Sequence, residues 1–268
     1  MEQGGRSYKG LASGERERRE DRRVSAKNGF GFGFGVLVMG AAGCAALEAT
    51  GEAPEPSRAV EAALPEFNAR VLELVATYPD GGFGGYAWPA RKGTSGTTRD
   101  LRAGGELIAN GGEGNHCVGV TIEVFWRALE ECPGGVAAAM SAKQARAFKR
   151  TWYVPVDGGM GAAEAIVVFG VGERVVRMED ARPGDFLQGW RADGLGHSAV
   201  FLGWQRDEAG GEEGQEEGER RIVGVEYWSS QPWTDGIGRA STTIGVDEAS
   251  FDPQQVYLAR ARCPTVKE

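Results

Sequence analysis

Two residues in this 268-residue sequence have the chemistry of a nucleophile and its base. Cys117 lies in GEGNHCVGVTIEVFWRALEE, residues 112–131, where a glycine-rich loop gives way to a long apolar segment. His197 lies in GLGHSAVFLGW, at the head of an apolar strand pattern, and the chain's other histidine, His116, directly precedes the cysteine. A thiol at a helix start meets unpaired backbone N–H groups and the positive end of the helix dipole, which favour the thiolate. An imidazole within reach takes the thiol proton and later delivers it to a leaving amine. Each residue also has a plain reading: a small buried hydrophobe for the cysteine, a polar strand terminus for the histidine. Successive helix residues point about 100 degrees apart, so His116 is expected to cap the helix or belong to a substrate loop rather than share a proton with Cys117.

The elements must deliver these groups to one place. Residues 117–131 satisfy helical periodicity through Cys117, Thr121, Phe125 and Leu129, but Val118, Val120, Ile122, Val124 and Trp126 alternate as a strand would. The RALEE tail and the segment length favour a helix, with Glu123 and Arg127 as an i,i+4 pair on its outer side. Further helices are expected at 65–78, at 141–152 with Ser141 as N-cap, and at 161–169. Strands are expected at 185–190, 197–205, 221–229, 238–244 and 255–261, forming one antiparallel sheet of about five strands packed on the Cys117 helix, an α+β fold.

A third group is needed to orient the imidazole. Pairing Arg206 with Ile222 sets Phe201 beside Tyr227 and His197 beside Gln231, which makes Gln231 the first choice. A slip of two residues substitutes Ser229, and Glu226 falls opposite Leu202.

The order of these motifs resembles the NlpC-type cell-wall cysteine peptidases, papain-like enzymes in which a PGD strand and an HVGIYLG-like strand follow the nucleophile helix. Here the counterparts are PGDF at 183–186 and GHSAVFLGW at 196–204, with GGYAWPARKGTSG upstream similar to the family's PYxWGG loop. The CHAP amidases share the architecture, and Glu226 is the CHAP-like candidate for the third residue. The resemblance spans roughly residues 80–230. It departs where Asp-Cys-Ser-Gly is usual and this chain has His116-Cys117-Val118-Gly119, and the loop from Tyr86 to Cys117 is long. It implies a papain-like fold and a thiol hydrolase that cleaves amide bonds in peptidoglycan stem peptides. Cys117 is then the nucleophile, His197 the base, and Tyr86 a second oxyanion donor beside the Cys117 N–H. A muramoyl-alanine amidase or transacylase on the same scaffold, and a non-catalytic envelope lipoprotein, are the alternatives.

Residues 1–43 carry eight Lys/Arg and five Asp/Glu, so they are net +3 and the remainder is −11, which makes a nucleic-acid partner unexpected. A polar n-region is followed by an uncharged run from Gly29 to Leu47, which reads as an export signal, with a short membrane anchor as the alternative. MGAAGC resembles a lipobox, although Ala41 stands where leucine is usual, and implies a lipid anchor at Cys44. Residues 44–64 read as a tether and 65–268 as a single catalytic domain, expected to be monomeric and located in the cell envelope or periplasm. DEAGGEEGQEEGER at 207–220 is expected to be a solvated acidic hairpin loop. No spacing suits a structural zinc site, and the glycine-rich runs lack a phosphate-loop ending, so no metal or cofactor is expected. With Cys44 assigned to lipid and Cys117 required as a free thiol, Cys132 and Cys263 remain. Both precede proline at element ends, and an exported chain would join them as a disulfide.

Overall fold

Pro65 serves as N-cap of the first helix, α1 (Glu66–Val75), where its missing N–H leaves no donor unsatisfied. The computed structural model describes residues 65–154, 158–207 and 221–265. The expected export signal, the lipobox at Cys44, the tether and the acidic stretch 208–220 lie outside the described residues.

Four further helices follow: α2 (Cys117–Glu130), α3 (Gly135–Ala139), α4 (Ala142–Trp152) and α5 (Ala162–Val168). Ser141 caps α4 as expected, and its hydroxyl and the Gln144 side chain satisfy each other's backbone N–H in a capping box. The strands are β1 (Leu101–Ala103), β2 (Glu106–Ala109), β3 (Gly172–Val175), β4 (Phe186–Arg191), β5 (Gly196–Arg206), β6 (Ile222–Gln231), β7 (Gly236–Thr243) and β8 (Phe251–Ala261).

The main sheet has six strands rather than five, in the order β3-β8-β4-β5-β6-β7, every neighbour antiparallel. The unexpected strand, β3, is a four-residue edge strand with one buried position, too short for alternation to reveal. A small separate hairpin, β1–β2, was also not anticipated. Its turn is Gly104-Gly105, both at positive φ, the two-residue connection that hairpins favour.

Strand alternation divides the sheet's apolar residues between two faces. Phe186, Val200, Trp228 and Ala259 join the helices in one core, while Leu187, Ala199, Phe201, Tyr227, Phe251 and Leu258 form a second cluster. Helix α2 runs through the first core, touching α1, α3, α4, β5 and β6. Its Val120, Ile122, Val124, Phe125, Trp126 and Leu129 are all fully buried. A helix apolar all round is a buried helix, which is why its sequence satisfied both periodicities.

The expected outward Glu123–Arg127 pair is not present. Glu123 is buried and accepts from the Tyr78 hydroxyl (2.7 Å) and from the Thr98 N–H and hydroxyl (2.6 Å each). Arg127 reaches the Thr77 hydroxyl instead and lies over the Tyr78 ring. The reason is the loop between α1 and α2, which covers this side of the helix and supplies donors that a buried carboxylate needs.

The PGD turn is a structural staple. Asp185, fully buried at the head of β4, accepts from Asn68 of α1 (2.8 Å), from the Arg182 N–H (2.8 Å) and from the Arg260 guanidinium of β8 (3.0 and 2.9 Å). Gly184 sits at φ +91°, and a Cβ there would come within 2.6 Å of the Asn68 carbonyl oxygen. Cys132 and Cys263 form a disulfide that ties the end of α2 to the chain beyond β8. No helix among the described residues is long and apolar enough to cross a membrane.

Candidate functional site

The site forms where the N-terminus of α2 meets the start of β5 and the end of β6. His116 is the N-cap of α2 in extended backbone conformation, and its Nδ1 accepts from the Gly119 N–H (3.2 Å). Its ring packs edge-on against Trp88 and Tyr153, and burial pushes its pKa down to about 4, with Lys149 adding to the effect. The neutral imidazole is therefore a fixed structural cap. Gly119 lets the loop lie against the helix, because a Cβ there would stand 2.0 Å from the Gly96 carbonyl oxygen.

Cys117 is the first residue of α2 and the only free cysteine among the described residues, with 5% of its surface exposed. Burial pushes its thiol above the ordinary range, while N–H groups of Ser198, Val118 and Cys117 itself pull it back. The Ser198 contact matters most for placement, since Ser198 follows His197 directly. A second tie lies one turn along: the Thr121 hydroxyl meets the Ser198 hydroxyl at 3.0 Å and is bonded to the Cys117 carbonyl oxygen. Helix α2 is thus latched to β5 beside both candidate catalytic residues.

His197 is buried near the start of β5, opposite Gly189 of β4, with its ring against Tyr227 and Trp233. Burial pushes its pKa down to about 4; the Arg191 charge lowers it further, and the neighbouring Gln231 side chain opposes both. The Gln231 amide is oriented by its own donors: its Nε2 gives to the Thr234 hydroxyl (2.8 Å) and the Gly238 carbonyl (3.4 Å). Gln231 Oε1 and His197 Nε2 are both buried and both without a hydrogen-bond partner. The two orphans complement each other, and neither is satisfied elsewhere.

The alternatives for this third position do not meet the imidazole. The β5–β6 ladder pairs Phe201 with Tyr227 and Arg206 with Ile222 as expected, but two bulges between them shift Glu226 opposite Gly203 rather than Leu202. Glu226 is exposed at that position. The Ser229 hydroxyl is committed to the Ser198 carbonyl oxygen (2.6 Å).

Cys117, His197, Gln231 and Tyr86 all line one cleft of about 330 Å³. Tyr86 is half-buried there through a backbone bridge to Asn115, and its hydroxyl pKa is pushed up to about 12 by burial and by the nearby Cys117 charge. The lining also includes Trp88, Tyr153, Trp190, Arg191, Leu195 and Trp233, none of which was assigned to the site from the sequence. Trp88 was visible in the same motif as Tyr86, and Trp233 stands two residues after Gln231, but nothing in the sequence turns Tyr153 or Arg191 inward. No group of three or more His, Cys, Asp or Glu that could hold a metal occurs among the described residues. Comparison with known proteins gives no match: no family model, no curated protein and no solved structure matches this chain.

Proposed function

We propose that this chain is an exported thiol hydrolase of papain-like architecture that cleaves amide bonds in peptidoglycan stem peptides, as its resemblance to the NlpC-type and CHAP enzymes implies. The observation that carries this reading is the convergence of Cys117, His197 and Gln231 on one cleft.

Burial leaves both partners uncharged at neutral pH, a thiol and an imidazole, so the thiol proton passes to His197 as the sulfur attacks the carbonyl carbon. The S–C bond forms and the carbonyl oxygen becomes an oxyanion, facing the Cys117 N–H and the Tyr86 hydroxyl. The C–N bond breaks as His197 gives the proton to the leaving amine. Water then attacks the thioester, yields its proton to His197, and the thiol returns. Gln231 holds the imidazole's ring orientation throughout. The chemistry needs no metal or cofactor, and the chain acts as a monomer.

Export is supported by the Cys132–Cys263 disulfide, because such bonds persist in oxidising compartments. Envelope attachment through Cys44 belongs to the same proposal. The test is digestion of purified peptidoglycan with mass analysis of released fragments. Cleaved stem peptides from the native protein, and none from Cys117→Ala, are the expected result; intact peptidoglycan in both sinks the substrate assignment.

The 5% exposure of Cys117 favours a second reading, a non-catalytic binding module with an inert thiol. Alkylation separates the two, since an inert Cys117 stays unmodified at neutral pH.

A further inference from the structure

The cleft holds a cation that the hydrolytic steps do not use. Arg191 ends β4, at a break in the sheet where the β8 partner jumps from Val256, opposite Gly189, to Phe251, opposite Arg191. Such irregularities re-aim side chains next to functional sites. The guanidinium lies over the Trp233 ring, 5.7 Å from its centre, and lines the cleft alongside Cys117 and His197. Its Nε is buried and has no hydrogen-bond partner. Among the described residues no carboxylate forms an ion pair with it; nearby Asp193 uses its Oδ1 to accept from the Leu195 N–H within the β4–β5 turn. An unpaired charge drawn partly out of water is unfavourable unless something binds it.

The structure assigns Arg191 and Trp233 to a carboxylate-binding subsite beside Cys117, so that the preferred substrate carries a free carboxylate next to the bond that breaks. This deepens the thiol-hydrolase reading and rests on it. The geometry fits the chemistry of the ligand. A guanidinium presents a planar fork that matches the two oxygens of a carboxylate, and it is hydrated weakly enough to stack on an indole while doing so. Lysine has neither property. Proximity to the reacting atoms is consistent with the Arg191 charge being felt at His197. Leu195 and Trp233, both more than half exposed, would bracket the apolar portion of the same residue.

Two measurements test this separately from the hydrolase reading. The first alkylates the full chain with iodoacetate, which carries a carboxylate, and with neutral iodoacetamide, following the Cys117 peptide by mass spectrometry. Arg191→Gln is expected to slow iodoacetate at least about tenfold while iodoacetamide changes by less than about threefold, and Arg191→Lys to recover less than half of the loss on a logarithmic scale. Equal slowing of both reagents, or full recovery with lysine, overturns the subsite. Failure of both reagents at Cys117 in the native chain overturns the hydrolase reading instead. The second measurement then still decides the subsite. In Cys117→Ala, calorimetry compares an N-acetyl dipeptide ending in a free carboxylate with the same dipeptide ending in a carboxamide. The carboxylate is expected to bind at least about tenfold tighter, a difference that Arg191→Gln removes. Equal binding of the two dipeptides overturns the proposal whatever the thiol does.

Discussion

At the scale of single residues, the site depends on which atoms have partners and which do not. Gln231 is held through its amide nitrogen, so its buried carbonyl oxygen is left without a partner beside His197. Removing the nucleophile and removing the orienting group should therefore differ in size. Cys117→Ala and His197→Ala are each expected to lower kcat/KM on a stem-peptide substrate by about three orders of magnitude or more, with the circular dichroism spectrum unchanged. Gln231→Ala should lose roughly 10- to 100-fold, because the base remains and only its orientation is released. Steady-state kinetics on the three variants checks the ranking; near-native turnover in Cys117→Ala removes it from the nucleophile role.

At the scale of elements, the placement of α2 against the sheet relies on buried polar contacts whose partners come from distant parts of the chain. Asp185 connects α1, the turn before β4, and β8 through Asn68, Arg182 and Arg260. Removing it leaves the Arg260 charge with only the Asp180 carbonyl and the Asn68 amide with only the Pro183 carbonyl. Asp185→Ala should destabilise the fold by about 3–5 kcal/mol, the range for breaking one side of a buried ion pair. Urea denaturation measures it, and a loss under about 1 kcal/mol would show that water replaces the carboxylate. The Glu123 contacts with Tyr78 and Thr98 act in the same way on the loop that carries Tyr86 and Trp88 towards the cleft. Glu123, which reads as surface in one dimension, is an internal anchor in three.

At the scale of the whole molecule, two features tie stability to conditions. The Cys132–Cys263 disulfide joins positions 131 residues apart, and in the chain-entropy model a loop of that length stabilises the fold by about 5 kcal/mol. Reduction, or Cys263→Ser, should lower the urea midpoint accordingly, with activity retained under native conditions because the bridge lies at the far end of α2 from Cys117. The second feature is the pair of buried histidines. His116 and His197 both have pKa values pushed down to about 4, so the folded chain binds fewer protons than the unfolded one between that value and about 6.5. Stability is fully present above about pH 6.5 and is lost as pH falls through the window, by about 2 kcal/mol per histidine at pH 5. Urea midpoints at pH 7 and pH 5 should show the loss, and His116→Gln should remove about half of it.

Local pattern determined most of the elements. Among the described residues, four of the five α-helices and five of the six main-sheet strands were legible: most bury one face and repeat apolar residues at their own period, and α2, buried all round, was read from its RALEE tail and its length. The N-cap at Ser141 and the pairing of Phe201 with Tyr227 and of Arg206 with Ile222 were legible too, since each depends on residues close in sequence or on one hairpin. The Cys132–Cys263 bridge followed from elimination among four cysteines. The sequence could not show that Glu226 faces solvent, because the two bulges that shift it leave no periodic trace. Nor could it show that Arg191 turns into the cleft or that Glu123 turns into the core. Those orientations depend on what strands and loops more than 20 residues away bring against each side chain. Charge and spacing determine which chemistry a residue can do; tertiary packing decides which partners it meets, because a side chain's burial and hydrogen bonds are set by neighbours that only the folded chain assembles.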